Sequence, residues 1–242
     1  KGHILTNLSK RVALVTGASR GIGQATAIAL ARHGAHVAVN YRVDEQGALE
    51  TVRRIDALGG CAVAIQADVT AMIGQVVDCL GPVDILVNNA GKAVRQDIDN
   101  ITEQDWDDLM AVNLKSVFLV TRAVLPQLKD QHWGRIVNIS SGAAKTGGSV
   151  GIHYAASKGG MDALSRAYAA NLVGDGITVN IVAPSQIDTG MIPDSEREVR
   201  ARRIPVGRLG SVEECADSIV LCVNTGYMTG QTIVLNGGRY FS

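Results

Sequence analysis

The sequence predicts a single α/β domain over residues 1–242, built on a doubly wound, parallel, seven-stranded sheet with helices on both faces. Three observations predict it. Short apolar runs alternate with helical patterns along the chain, the mark of repeated βα units. The runs are apolar at nearly every position, which suits strands covered on both faces. The first run breaks directly into a glycine-spaced turn that opens a helix. Composition permits such a fold: 46% of residues are apolar, 19% are charged, and a chain of this length buries a sizeable core.

The first expected strand is Val12–Thr16, and Gly17, Gly21 and Gly23 follow it, with Ala18, Ser19, Arg20 and Ile22 between. Gly17 permits backbone angles that a side chain forbids. Gly21 lets the main chain approach a pyrophosphate, and Gly23 lets the helix that opens at Ile22 pack closely on the strand. The free N–H groups and positive end of that helix then face an anion. The spacing differs from the G-x-G-x-x-G dinucleotide fingerprint, and the same glycines also suit a turn that is merely tight. The second strand, His36–Tyr41, ends at Tyr41-Arg42 with no acid at its tip, where a carboxylate would accept from a ribose 2′-hydroxyl. Asp44 and Glu45 come later. Arg42 can instead pair with a 2′-phosphate, joined by Arg20, because guanidinium forks match phosphate oxygens. As surface residues the two arginines would simply be solvated.

A third strand, Ala62–Gln66, leads to Asp68-Val69. There an aspartate can accept from an adenine amino group, or Asp68 or Thr70 can cap the next helix. The fourth, Ile85–Asn88, runs into Asn88-Asn89-Ala90-Gly91, whose small residues leave room for a ribose or only end the strand. The fifth, Arg135–Ile139, delivers Ser140 and Ser141. A small-residue helical segment then carries Tyr154 and Lys158, which share one helix face at i and i+4. An ammonium beside a phenol favours the phenolate and makes the tyrosine a usable acid/base. Ser141 can hold a carbonyl oxygen. In isolation the pair also reads as a surface Tyr–Lys contact, and no histidine is placed to make Ser141 a nucleophile. Strands at Thr178–Ala183 and Thr232–Leu235 complete the sheet.

Taken together, Thr16-Gly17-x-x-x-Gly21-x-Gly23, Asn88-Asn89-Ala90-Gly91, Asn113 within Val112-Asn113-Leu114, Ser141, Tyr154-x-x-x-Lys158 and Pro184-Ser185-Gln186-Ile187-Asp188-Thr189 resemble the short-chain dehydrogenase/reductase family in order and spacing, from about Lys10 onward. The resemblance implies a Rossmann-like fold, NADP(H) as cofactor and a catalytic set of Asn113, Ser141, Tyr154 and Lys158. By it, Tyr154 exchanges the proton with the carbonyl oxygen and Lys158 binds the nicotinamide ribose. Ser141, or Ser140 as fallback, orients the carbonyl, Asn113 holds a relay water, and Ile187 and Thr189 grip the carboxamide beside Pro184. It also implies a homotetramer packed through Ser116–Lys129 and Ala155–Leu172. Within the family the chain looks most like 3-oxoacyl-carrier-protein reductases, acting on a small-molecule carbonyl or an acyl thioester. His132 and Asp175 stand where those reductases often carry basic residues for an acidic acyl carrier protein, leaving that partner in question. Ser185 replaces a usual glycine. The His153–Gly160 stretch and Val39–Arg42 also resemble glucose dehydrogenases, so a sugar or small alcohol remains an alternative.

Lys+Arg and Asp+Glu balance at 23 each, which gives no footprint for nucleic acid or a membrane surface. No apolar run looks long enough to span a bilayer, and Lys1 to Lys10 lacks a signal-peptide core, so a cytoplasmic place is expected. Cys61, Cys79, Cys215 and Cys222 lack metal or redox spacing and are expected to be buried thiols, and no histidine pairs at metal-ligand spacing. From Asp68 to Asp84 the chain takes 16 steps, about one to two helical turns fewer than the family's crossover. A smaller shortfall lies between Thr189 and Pro205. Breaks in the chain are therefore expected near Thr70–Ala71 and Ile192–Asp194, the rival being a shortened helix and lid.

Overall fold

The structure is a computed structural model that describes residues 8–67, 69–190 and 192–241, with side chains at all of these except 69–71 and 194. The first half alternates strand and helix as expected: β1 Val12–Val15, α1 Gly21–Arg32, β2 His36–Tyr41, α2 Glu45–Asp56, β3 Cys61–Gln66, α3 Val69–Leu80 and β4 Ile85–Asn88. Next come α4 Glu103–Met110, a π-helical turn Ala111–Lys115, α5 Ser116–Asp130, β5 Gly134–Ile139, α6 Ala143–Thr146 and α7 Ile152–Leu172. The chain closes with β6 Ile177–Pro184, β7 Ile187–Asp188, α8 Asp194–Ala201, β8 Gly210–Ser211, α9 Val212–Asn224 and β9 Thr232–Leu235. Seven strands form one parallel sheet in the order β3-β2-β1-β4-β5-β6-β9, and β7 and β8 make a separate two-stranded pair. The chain order reverses between β1 and β4, and there a crevice opens at the carboxyl ends of the strands.

Alternation along each strand divides the core. Ala13 and Val15 of β1, with Val37, Val39 and Val87, face one side, where Ile28, Leu30, Ile219 and Val223 of α1 and α9 cover them. Val12, Leu14, Leu86 and Ile136 face the other, against Val76, Val120, Val124, Leu128 and Leu172 of α3, α5 and α7. Both faces are therefore dry, as continuous apolar runs require.

Two expectations need correction. Taken as one helix, Glu103–Asp130 is long and apolar enough to cross a membrane by length and composition, with an 18-residue stretch of mean hydropathy 1.4. Val117, Val120, Val124 and Leu128 of this helix are buried, so its apolar face belongs to the core. Of the cysteines, Cys61 and Cys79 are exposed, while Cys215 and Cys222 are buried. Cys61 opens β3, the edge strand, where one side lacks a neighbour. Burial pushes the Cys215 and Cys222 thiols up to about 12. The expected break near Thr70–Ala71 falls on residues whose side chains lie outside the described set, within α3 as assigned. At the second position α8 opens at Asp194.

Candidate active site

The glycine turn is built by contacts that leave no room for side chains. Gly17 has φ +62 and Gly21 φ +57, left-handed values that favour glycine. A Cβ on Gly23 would lie 2.4 Å from the Gly17 carbonyl oxygen and 2.5 Å from Asn89 Nδ2. Asn89 Nδ2 donates to the carbonyl oxygens of Thr16 at 2.9 Å and Gly17 at 3.0 Å, which clamps the turn against the end of β4. Thr16 Oγ1 in turn accepts from the N–H groups of Asn89 and Ala90, each at 3.0 Å. The first turn of α1 carries no acidic residue and its N-cap, Arg20, makes no side-chain cap. Its N–H groups and positive dipole end are thus left for an anion.

A cleft of about 450 Å³ opens over this turn. Its walls bring together Gly17, Ser19, Arg20, Gly21 and Ile22 with Tyr41 and Arg42 from the end of β2, Ala90 and Gly91 after β4, and Thr189 after β7. Neither Arg20 nor Arg42 forms an ion pair with a described residue, and both are exposed. Asp44, the first acid after β2, is engaged as the α2 N-cap, where its Oδ1 accepts from Gly47 N–H at 3.0 Å. The arginines thus face the cleft while the nearest carboxylate is occupied elsewhere.

Some expected residues take other places. Asn88 is buried, and its Nδ2 donates to Asn138 Oδ1 at 2.8 Å and Thr121 Oγ1 at 3.3 Å, so its side chain faces the core. Ile187 packs toward Gly210, where an added Cβ would meet its Cδ1 at 2.6 Å. Pro184 ends β6, and its carbonyl accepts from Gly142 N–H at 2.9 Å, which ties the loop after β5 to β6. Asp68 lies outside the described residues, as does the side chain of Val69. The reading of the sequence missed the clamp of Asn89, whose signal was the doubled asparagine itself.

Beyond the cleft stand the four candidate catalytic side chains. Asn113 is fully buried in the π-helical turn. Its Oδ1 accepts from Lys92 N–H at 2.8 Å, while its Nδ2 donates to Lys92 O at 2.9 Å and Ser157 Oγ at 3.2 Å. Lys158 is 5% exposed, and its Nζ donates to the Ile139 carbonyl at 2.7 Å. Burial lowers its pKa to about 8, against the opposing pull of Asp162. Gly91 makes this approach possible: a Cβ there would lie 3.2 Å from Asn113 Oδ1 and 3.7 Å from Lys158 Nζ. Ser141 acts on Tyr154 and its Oγ accepts from Ala143 N–H at 3.2 Å, whereas Ser140 is buried and turns its Oγ toward the Lys158 carbonyl at 3.4 Å.

The electrostatics of Tyr154 differ from expectation. Burial holds its phenol above the ordinary value, and the hydrogen bond from Ser141 pulls it only part of the way back. Lys158 Nζ lies 6.0 Å from the Tyr154 ring centroid and is bonded to a backbone carbonyl instead. Desolvation therefore sets the direction, and the phenol keeps its proton at neutral pH. Such a group is set to give a proton.

A family model for short chain dehydrogenases matches residues 11–200. The 3-oxoacyl-(acyl-carrier-protein) reductase FabG of Staphylococcus aureus (strain Mu50) is 40% identical over 239 residues, covering 94% of this chain and 97% of that protein. FabG of Pseudomonas aeruginosa is 38% identical over 247 residues, covering 98% and 100%. A protein from Sinorhizobium meliloti 1021, assigned as a short-chain alcohol dehydrogenase, has a crystal structure that superposes at a TM-score of 0.90, with 35% identity and 97% of this chain covered.

Proposed function

The chain belongs to the short-chain dehydrogenase family, and on that premise we propose that it reduces a ketone, best a 3-oxoacyl thioester, to a secondary alcohol with NADPH. The observation that carries this reading is the convergence of Ser141, Tyr154, Lys158 and Asn113 beside a cleft whose rim presents Arg20 and Arg42. The uncapped helix end, the glycine turn and the two arginines fit a phosphorylated dinucleotide. A reduced nicotinamide, when bound, supplies a hydride to the carbonyl carbon. The residues do the rest. Ser141 holds the carbonyl oxygen; as its π pair moves onto that oxygen, the Tyr154 O–H bond breaks and the proton passes across. Lys158 stabilises the resulting phenolate and holds the ribose hydroxyls, and Asn113 supports a water that returns the proton. Thr189, with the main chain at Ile187, stands where the carboxamide would be gripped.

NADPH consumption with an acetoacetyl thioester tests the reading, and wild-type turnover in Tyr154→Phe would sink it. The carrier-bound form of the substrate has less support. Lys129, a cation near the expected carrier surface, is paired with Asp175 at 3.2 Å, which favours the second reading of a free thioester, sugar or small alcohol as substrate. A panel of carbonyls and alcohols separates these from a chain that binds NADP(H) without turnover. We further infer a cytoplasmic homotetramer joined through α5 and α7, where Phe118 is 41% exposed. A monomeric mass in solution would refute that assembly.

A further inference from the structure

One buried charge has no place in the mechanism above. Asp162 sits on α7 one turn beyond Lys158, as Lys158 sits one turn beyond Tyr154, so the three share one face at i, i+4 and i+8. Asp162 is 3% exposed, and its Oδ1 makes no hydrogen bond among the described residues. A carboxylate withdrawn from water without such a bond is costly unless a cation compensates it. The buried cation next to it on the helix is Lys158, whose Nζ donates to the neutral carbonyl of Ile139.

We propose that Asp162 is the counter-charge of Lys158, a positioning residue that keeps the lysine protonated so that Lys158 can hold the cofactor ribose and stabilise the Tyr154 phenolate. The surroundings leave it that role. On α7 the ionisable neighbours of Lys158 are Tyr154 and Asp162. The π-helical turn contributes the neutral Asn113, and the loop after β4 contributes Lys92, whose side chain is exposed. On α6, Lys145 is exposed. Of the α4 carboxylates near α7, Asp105 interacts with His153, and Asp107 is exposed on the groove that it lines with Gly160 and Ala163. On β5, Arg135 stands at the far end of the strand from Ile139, and β6 carries no ionisable side chain. The C-terminal segment brings Tyr240 and Arg239. Tyr240 is half-buried, and its hydroxyl, 3.2 Å from a Cβ built on Gly142, makes no hydrogen bond among the described residues. Burial, and then Asp162, raise its pKa, so it stays neutral. The direction of the effect of Asp162 on Lys158 agrees with the geometry, because the carboxylate opposes the downward pull of burial.

The inference rests on Lys158 gripping a nicotinamide ribose, and binding tests it without turnover. NADPH fluorescence titrations are made on the full chain across the neutral-to-alkaline range. In the wild type, affinity weakens as Lys158 loses its proton. Asp162→Asn removes the charge at nearly constant shape, lowers the lysine pKa and moves that weakening about one pH unit toward neutrality. The alkaline limb of kcat moves with it. Asp162→Glu restores the charge and returns the limb toward the wild-type position, whereas a purely structural role would lower affinity equally at every pH. A parallel profile in Asp162→Asn overturns the proposal. If that variant does not fold, Asp162→Glu decides alone: a retained limb supports the counter-charge and a displaced one overturns it. Tyr240→Phe keeps Asp162 and leaves the limb unmoved. Failure of the wild type to bind NADPH would instead overturn the proposed function, so the two failures are distinct.

Discussion

The glycine turn in the cleft and the catalytic corner beside it are held by opposite means. The turn is backbone pinned by two side chains: Asn89 on the carbonyls of Thr16 and Gly17, Thr16 on the amides of Asn89 and Ala90, with no room for a Cβ on Gly23. The corner is made of side chains: Asn113, Ser141, Tyr154 and Lys158 reach in from the π-helical turn, the loop after β5, and α7. A site built of backbone fails by losing its shape, and one built of side chains fails by losing its chemistry. The first kind of damage reaches folding and binding together, and loss of the Tyr154 hydroxyl should reach neither.

Four measurements sharpen or break this contrast. The largest effect belongs to Tyr154→Phe, which deletes the proposed proton donor alone. We expect kcat to fall about 10³-fold while thermal midpoint and NADPH affinity hold, and loss of binding would contradict a purely chemical corner. Second is Gly23→Ala, whose new methyl must displace the Gly17 carbonyl. It should cost about 2 kcal/mol of stability in denaturant unfolding and abolish measurable NADPH binding, and a variant that binds normally would show that the turn can yield. Third, Arg42→Ala should weaken NADPH about tenfold, or ~1.4 kcal/mol, with NADH little changed. Equal losses for both cofactors would refute the phosphate role.

The smallest effect is a matter of pH. Lys158 is depressed from 10.5 to about 8 in the folded chain, so the unfolded chain binds more protons between those values. Burying the charged lysine costs stability fully below about 8, and the cost is relieved as pH rises toward 10.5. The apo protein should therefore gain stability relative to Lys158→Met across that window, read as a thermal midpoint difference that narrows with rising pH. A difference independent of pH would mean that the lysine is not buried in its charged form.

The same contrast explains what could be read in advance. Backbone-built features write themselves into sequence as glycines and apolar runs, and the strands of the main sheet fall within a residue of expectation. Gly17, Gly21, Gly23 and Gly91 each stand where added atoms meet strain or contact. Side-chain direction is less legible. At the end of β4, alternation sends Asn88 inward to Asn138 and leaves Asn89 to clamp the turn, and two adjacent asparagines do not announce which is which. Cys61 is apolar in composition but opens an edge strand, a fact of sheet order and not of local pattern. The π-helical turn that buries Asn113 has no residue signature, since one widened turn changes no periodicity long enough to read. The sign of the shift at Tyr154 depends on burial, whereas the spacing had suggested the neighbouring ammonium.

The clamp at Asn89 joins residues 73 positions apart in the chain. Contacts of that separation close late, because the intervening loop must be ordered first. A nascent chain that has just made β1, β2 and β3 carries every glycine of its cradle and yet cannot shape it. Ligand binding stabilises only states that can bind, so the dinucleotide gives no help to early intermediates. It locks the fold after β4 has docked, and cells poor in cofactor would carry more of this chain through its most vulnerable stage unprotected.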